Sequence, residues 1–311
     1  MADPGDRTAT VREAAPAKLN LGLRVVARRA DGFHELDSLF AHLDLADELT
    51  LAWADRGGAV ARSGGDRLER AAAGDPWLDA LDLPLGPENL VRRAWAAYRG
   101  AFGELPSVWG RLAKRVPWGA GLGGGSADAA AALRGVARLA SGSVDLAPLA
   151  EQLGSDVPFC LAGPALARVG GRGEVLTPVD LPPRTVVLVN PGVAVAAGDA
   201  YRWWGADPVD VAPMDEVLDA WRGGATLPLT NALQAGVAAR VPEVAAALAT
   251  LRAVADGPVV MSGSGSTCFA VVADPALGRA VAAAVAARHP AWWVRVATAA
   301  ASPDAAGAAG R

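Results

Sequence analysis

The stretch Lys114–Leu139, KRVPWGAGLGGGSADAAAALRGVARL, constrains this chain more than any other part of it. Five glycines lie between Gly119 and Gly125, Ser126 follows, and an alanine-rich run then carries apolar residues at helical spacing. The pattern predicts a flexible loop that opens directly into a helix near Ser126. Such a junction suits an anion. Glycines let backbone N–H groups approach a phosphate unobstructed, and the helix start adds unpaired N–H groups and the positive end of its dipole.

Several known patterns compete for this loop. Gly119, Gly121 and Gly124 satisfy the dinucleotide pattern G-x-G-x-x-G, but that pattern follows a buried apolar strand, whereas Lys114, Arg115, Val116 and Pro117 come before this one. A P-loop requires G-x-x-x-x-G-K-[ST], and no lysine follows a glycine run in the chain. A surface linker would seldom run straight into a strong helix. What remains is a phosphate loop of another kind.

At 311 residues the chain has room for two domains with separate cores. Its 52% apolar content leans on alanine, and no run of eighteen apolar residues occurs, so no membrane span is predicted. The opening MADPGDRTATVREAAP is polar and carries acids and proline, unlike a secretory signal, which points to the cytoplasm. Cys160 and Cys268 lack the spacing of a disulfide framework or a zinc site and read as small buried apolar residues. A net charge of −4 without a basic cluster argues against nucleic acid as the main partner. Only two of the 29 basic residues are lysine, Lys18 and Lys114. Both lie in glycine- or proline-marked segments, where a compact ammonium and a wide guanidinium fork are not equivalent, so their position favours function over chance.

Residues 1–12 read as a disordered tail, and the alternation from Val11 to Trp53 predicts two or three strands. On one of them Lys18 and Asn20, two apart, point to one face and can hold a polar substrate. Asp31-Gly32 is a turn signal, with Phe33 and His34 on its shoulder. An aromatic and an imidazole there suit either a structural role or stacking on a planar ring with hydrogen bonds to its edge. Residues 55–88 read as a connecting loop with helical pieces near Leu68 and Leu78, Asn89–Tyr98 as an amphipathic helix, and Val108–Val116 as a strand that delivers the chain to the phosphate loop. After the long helix, Leu146–Leu153 reads as a short helix and Gly154–Phe159 as a turn out of it. Asp156 there either caps the turn or receives a substrate hydroxyl.

Leu166–Val169 and Glu174–Pro178 look like a hairpin around Gly170–Gly173, and Thr185–Asn190 reads as a buried strand. Helices near Met214–Trp221, Leu229–Arg240, Val244–Ala255 and Ala276–Arg288 then alternate with strands at Pro258–Met261, Cys268–Ala273 and Trp292–Thr298. Ser262–Thr267 joins two of those strands and reads on its own as an ordinary hairpin. Ala301–Arg311 reads as a frayed tail.

Taken together these segments resemble the GHMP kinase superfamily over nearly the whole chain, from Pro16 to about Thr298. PAKLNLGL resembles the first motif, DGFHELDSLF the substrate-binding segment, PWGAGLGGGSA the ATP loop, LGSDVPF the segment of the catalytic aspartate and SGSGSTCFA the third, glycine-rich motif. The resemblance implies an α+β protein of two-domain GHMP kinase fold with the active site in the interdomain cleft. Residues 13–170 would form the N-terminal ATP-binding domain and 171–300 the C-terminal domain, flanked by tails at 1–12 and 301–311. It implies ATP and Mg2+ as cofactors and a small-molecule substrate, a cytidine diphosphate-linked methylerythritol phosphorylated on its 2-hydroxyl in the non-mevalonate route to isoprenoid precursors. It implies no nucleic-acid or membrane partner and a monomer or weak homodimer. A relative acting on homoserine, mevalonate or a sugar would share the phosphate loop but has no evident need of Phe33-His34 after a turn. A non-catalytic protein on the same fold would be expected to have lost Lys18 or Asp156.

Carried over position by position, the resemblance implies Asp156 as catalytic base or hydroxyl-orienting acceptor, Lys18 as the cation beside it and Asn20 as a substrate contact. Phe33 and His34 would hold the cytosine, with Tyr201 as the ring's second stacking partner. ATP would lie on Lys114, Pro117, Trp118, Gly119, Ala120, Gly121, Leu122, Gly123, Gly124, Gly125, Ser126 and Ala127, with Mg2+ near Ser126. Departures from the pattern are Phe33 for tyrosine, Ala127 for a second serine, Ser155 for alanine, Ser266 for proline and Ala197 for a threonine. Phosphoryl transfer asks a protein for positioning and charge neutralisation more than for covalent help, so backbone N–H groups carry most of the phosphate work.

Overall fold

The computed structural model describes residues 8–54, 65–142 and 144–301. Strands β1 (Thr10–Arg28) and β2 (His34–Trp53) are long and paired. The Asp31-Gly32 turn joins them, with Gly32 at φ 87° and Asp31 Oδ1 accepting the Phe33 N–H at 3.1 Å. The tail predicted to reach residue 12 is shorter, because Thr10 is already in β1; residues 1–7 lie outside the described ones, as do 302–311 of the other predicted tail. Residues 55–64 of the predicted connecting loop lie outside them too. Leu68 belongs to no helical piece but to strand β3 (Arg67–Ala71), where pairing with a distant strand overrides local preference. Leu78 does fall in a helix, α1 (Pro76–Asp79), capped by Asp75.

Helix α2 (Leu90–Phe102) starts at Asn89, whose side chain accepts the Val91 N–H. Strand β4 (Val108–Ala113) leads to the glycine loop, and helices α3 (Gly124–Ala140) and α4 (Ala147–Leu153) follow. The predicted turn at Gly154–Phe159 is the start of another helix, α5 (Val157–Ala162). Pro158 stands in its first turn, where a missing N–H breaks no helical bond. The β5 (Leu166–Gly170) and β6 (Val175–Pro178) hairpin and strand β7 (Arg184–Asn190) form as predicted. Helix α6 (Ala197–Ala206) has no counterpart among the predicted helices and begins without a side-chain cap.

Helix α7 (Met214–Arg222) matches its pattern, but the helix expected over Leu229–Arg240 contracts to α8 (Gln234–Ala238). The preceding residues run alongside β1 instead: Leu23 pairs with Asn231, and the Leu23 N–H donates to the Thr230 carbonyl at 3.0 Å. Helix α9 (Pro242–Arg252), strands β8 (Val259–Met261) and β9 (Cys268–Val272), helix α10 (Pro275–Arg288) and strand β10 (Trp293–Ala299) complete the chain.

Two compact units arise from interleaved segments. Of the described residues, one unit takes those up to Ala17, those within Ala46–Val116 and those within Gly124–Ala162; the other takes Lys18–Leu45, Pro117–Gly123 and those from Gly163 to Ala301. In the first unit the end of β2 pairs antiparallel with β4, Leu51 opposite Gly110, and β4 pairs parallel with β3. Trp95 of α2 packs over Gly110, where a Cβ would come within 2.7 Å of the indole, and Gly135 of α3 receives Leu51 in the same way. Buried Glu13 on β1 accepts from Arg134 at 3.1 Å and Arg138 at 2.7 Å, both on α3, so a carboxylate taken from water is paired.

In the second unit the start of β2 pairs antiparallel with β5, Ser38 opposite Val169, and with β10, Ala299 opposite Leu43. The order continues through β7 and β9 to β8, every pair antiparallel. Alternate residues Val187 and Val189 on β7, and Cys268 and Ala270 on β9, are buried with Leu233, just before α8, Val237 of α8, Val244 and Leu248 of α9, and Val281 and Val285 of α10. Truncating a large buried side chain tests how the first unit is held. Trp95→Ala should destabilise it by about 3–5 kcal/mol in urea unfolding, and a loss below about 1 kcal/mol would mean that the indole is not what seats α2 on its sheet.

Candidate functional site

Strand alternation puts Lys18 and Asn20 on one face of β1, and Lys18 Nζ donates to Asn20 Oδ1 at 2.7 Å. Both residues are buried, and the ammonium lies 4.2 Å from the centre of the Phe40 ring, a cation–π contact. Asn20 Nδ2 donates to Ser38 Oγ at 3.2 Å, and that hydroxyl donates to the Gly22 carbonyl, which fixes the amide with its oxygen toward Lys18.

The glycine loop is fastened to this strand. The Lys18 N–H donates to the Leu122 carbonyl at 2.9 Å, the Thr267 N–H to the Ala120 carbonyl at 3.1 Å, and Ser262 Oγ to the Gly121 carbonyl at 2.9 Å. Ser262 Oγ also accepts the Asn20 N–H at 3.2 Å. Ala120 and Leu122 are buried anchors, whereas Trp118 is 42% exposed. Gly121 sits at φ 76°, and a Cβ there would fall 2.1 Å from the Ser262 carbonyl oxygen, so only glycine lets the two glycine-rich segments touch. Ser262–Thr267, which connects β8 and β9 as the pattern suggests, thereby also braces the glycine loop. Ser266, where a proline is frequent, gains partners of its own: it donates to the Val193 carbonyl and accepts from Asn190 Nδ2 at 3.3 Å.

The helix after the loop opens at Gly124, two residues before the predicted start, so Gly124, Gly125 and Ser126 form the first turn, whose N–H groups have no intrahelical partner. Ser126 is half-buried and Ala127 buried. Asp156 immediately precedes α5, its carbonyl accepting the Cys160 N–H at 3.2 Å, and is half-buried. Lys114, expected near the nucleotide, lies between two acids. Its Nζ donates to Asp128 Oδ2 at 2.8 Å and to Asp47. Burial alone would lower its pKa, but Asp128 and Asp47 outweigh that and hold the ammonium well above its ordinary value. Burial pushes the Asp128 carboxyl up, against the pull of Lys114.

Of the three aromatic residues expected to hold a ring, the structure brings two together. His34 and Tyr201 stack with centroids 4.7 Å apart and planes 15° from parallel, and Trp204 meets the imidazole edge-on at 5.7 Å. Phe33, 48% exposed, lies instead under the Arg172 guanidinium, 4.7 Å from its ring centre. Ala197 is the exposed first residue of α6, the helix that carries Tyr201.

Comparison with known proteins joins these features. Residues 89–164 match the GHMP kinases N terminal domain and residues 218–291 the GHMP kinases C terminal domain. A Deinococcus radiodurans protein named 4-diphosphocytidyl-2-C-methyl-D-erythritol kinase is 46% identical over 91% of this chain and 91% of its own length. The chain belongs to the 4-diphosphocytidyl-2-C-methyl-D-erythritol kinase family of GHMP kinases. An Anaeromyxobacter dehalogenans relative of the same name is 42% identical over 87% of this chain and 83% of its own. A solved 4-(cytidine 5'-diphospho)-2C-methyl-D-erythritol kinase superposes with a TM-score of 0.75 at 37% identity, covering 93% of this chain and 99% of that one. A Cytophaga hutchinsonii homoserine kinase, at 19% identity and a TM-score of 0.60 over 93% of this chain and 94% of its own, shares the fold.

For a member of this kinase family, the residues that sequence reasoning missed are Trp204 and Arg172 beside the aromatic residues, and Asp47 and Asp128 around Lys114. Trp204 was findable: it lies three residues after Tyr201, the spacing that puts two side chains on one helix face. The electrostatics of His34 can be measured directly. Burial lowers its pKa below the ordinary 6.5, and nearby Arg28 adds to the effect. The folded chain thus prefers the neutral ring, and this contribution to stability is complete above pH 6.5 and lost as pH falls through the folded value. An NMR titration of His34 should give a midpoint below 6.5 that rises in Arg28→Gln; a midpoint at or above 6.5 would contradict this origin of the shift.

Proposed function

We propose that the chain transfers the γ-phosphoryl group of ATP to the 2-hydroxyl of 4-diphosphocytidyl-2-C-methyl-D-erythritol, in the non-mevalonate route to isoprenoid precursors. The observation that carries the choice of substrate is the His34–Tyr201 stack. A phosphate loop serves any GHMP kinase, whereas an imidazole and a phenol ring brought together beside a turn offer the hydrogen-bonding edge and the stacking face that suit a cytosine. A neutral imidazole can donate through one ring nitrogen and accept through the other, matching the mixed donor–acceptor edge of that base. In this reading His34 turns from Tyr201 to hold the cytosine edge, Tyr201 offers the ring a face, and Phe33, which stands apart from the stack, closes on it from the turn.

ATP lies on Pro117–Ala127, with the loop N–H groups and the first turn of α3 toward its phosphates. The fit rests on the loop itself: buried Ala120 and Leu122 fix it, and Gly121 has no room for a side chain. Among the described residues no group of three or more His, Cys, Asp or Glu could hold a metal ion. An Mg2+ arriving with the nucleotide would have the Ser126 hydroxyl, in the first turn of α3, as its protein ligand. Bound together, the two supply the phosphoryl group and neutralise its charge.

The protein's own part is to place charge and hold a proton. Lys18, oriented by Asn20 Oδ1, sets a buried positive charge where negative charge develops on the attacking oxygen, and Asn20 contacts the substrate. Asp156 orients the acceptor hydroxyl and takes its proton. The reaction belongs in the cytoplasm, on a small-molecule substrate, without nucleic acid or membrane as partner.

ATP consumption with Mg2+ against 4-diphosphocytidyl-2-C-methyl-D-erythritol, homoserine, mevalonate and galactose tests the reading. Turnover with the cytidyl substrate alone is expected; turnover with another of the four would void the roles of Phe33, His34 and Tyr201. In the same assay Asp156→Asn should lower kcat by about 10²–10⁴ while melting temperature and ATP affinity stay near those of the parent, and near-normal turnover would remove Asp156 from the chemistry.

A further inference from the structure

Lys114, Asp47 and Asp128 are 3%, 1% and 4% exposed, so three charged groups are shut away from water together. Their places in the chain are specific. Lys114, Arg115 and Val116 are the last residues before the phosphate loop, and Asp128 is in the second turn of the helix that follows it. Asp47 is on β2. Its Oδ1 accepts the N–H of Val116 at 2.9 Å and that of Arg115, and its Oδ2 accepts from Lys114 Nζ. Lys114 Nζ reaches on to Asp128 Oδ2, and a Cβ on Gly124 would come within 3.2 Å of it. The two stems of the loop are therefore fastened to each other, and both to β2, by one ammonium and two carboxylates. Asp128 Oδ1 is buried with no hydrogen-bond partner among the described residues.

Stability alone is a poor account of this arrangement, because well-packed apolar residues of similar volume commonly serve a core as well as a buried ion pair does. A loop with glycine at positions 119, 121 and 123, running into a helix that opens on two more, supplies a different reason. Such a segment loses much conformational freedom on ordering, and a phosphate binds tightly only if the N–H groups already stand in place. From this geometry we infer that Asp47, Lys114 and Asp128 are positioning residues that preset the phosphate loop for its nucleotide, with Lys114 acting through the loop stems rather than on the nucleotide. The inference rests on the reading of the chain as an ATP-dependent kinase.

Asp47→Asn keeps the shape of the side chain but removes its charge, and Asp128→Asn does the same while leaving the Lys114–Asp47 pair. Three readouts separate loop positioning from general support: the Kd of Mg-ATP, the KM of ATP against that of the acceptor, and hydrogen exchange of residues 117–127 in the free protein. Each variant should weaken ATP binding and raise its KM by about tenfold, with the acceptor KM within about twofold and faster exchange confined to the loop peptide. If either variant folds poorly, the other carries the test. Folded variants with parental ATP affinity and loop exchange would overturn the inference while leaving the kinase reading intact, as would ATP and acceptor KM values rising together. A parent protein that binds no Mg-ATP would overturn the kinase reading itself and with it the inferred role.

Discussion

A run of glycines cannot hold itself in one conformation, and the site depends on the backbone hydrogen bonds that do this from outside. Consecutive carbonyls of the loop, those of Ala120, Gly121 and Leu122, are taken by the Thr267 N–H, the Ser262 hydroxyl and the Lys18 N–H. Backbone acceptors removed from water must be paired, so a loop without such partners would be driven to other conformations. Satisfying the carbonyls from the protein side also settles which way they point, and a phosphate is tolerated only where carbonyl oxygens are turned from it. The same bonds tie the loop to Lys18 and Asn20, so whatever fixes the glycine loop also fixes the polar pair on β1.

Much of this was legible because it is local. Turn chemistry at Asp31-Gly32, strand alternation at Lys18 and Asn20, and the helix that follows the glycines all depend on residues a few positions apart. The failures involve partners that are remote or competing. Leu68 is a strand residue only because β4 lies beside it, and α8 is short because Leu23 claims the backbone around Thr230 and Asn231. The count of two lysines marked Lys114 as unusual, but its acids lie 67 and 14 positions away, a distance at which one sequence gives no pairing signal. The separation of Phe33 from the His34–Tyr201 stack was equally out of reach: neighbours in sequence at the end of a turn need not share a face.

The two lysines also account for two of the glycines in the run. A Cβ on Gly123 would lie 2.8 Å from Lys18 Cγ, and one on Gly124 would lie 3.2 Å from Lys114 Nζ. Adjacent glycines thus make room for different ammonium side chains, one hydrogen-bonded to an amide and touching an aromatic ring, the other hydrogen-bonded to two carboxylates. A guanidinium is wider and planar and demands several coplanar partners, so neither position would accept the arginine that the chain uses elsewhere.

The stack of His34 on Tyr201 has a consequence for recognition. A planar ligand that takes that face of the tyrosine must first evict an imidazole held there by the chain, whose local concentration never changes. The measured affinity is then the intrinsic one multiplied by the fraction of time the face is bare. A tethered rival of this kind acts as a threshold: rings that stack no better than imidazole gain nothing by exchanging with it, and only one that also uses the displaced histidine as a hydrogen-bonding partner comes out ahead.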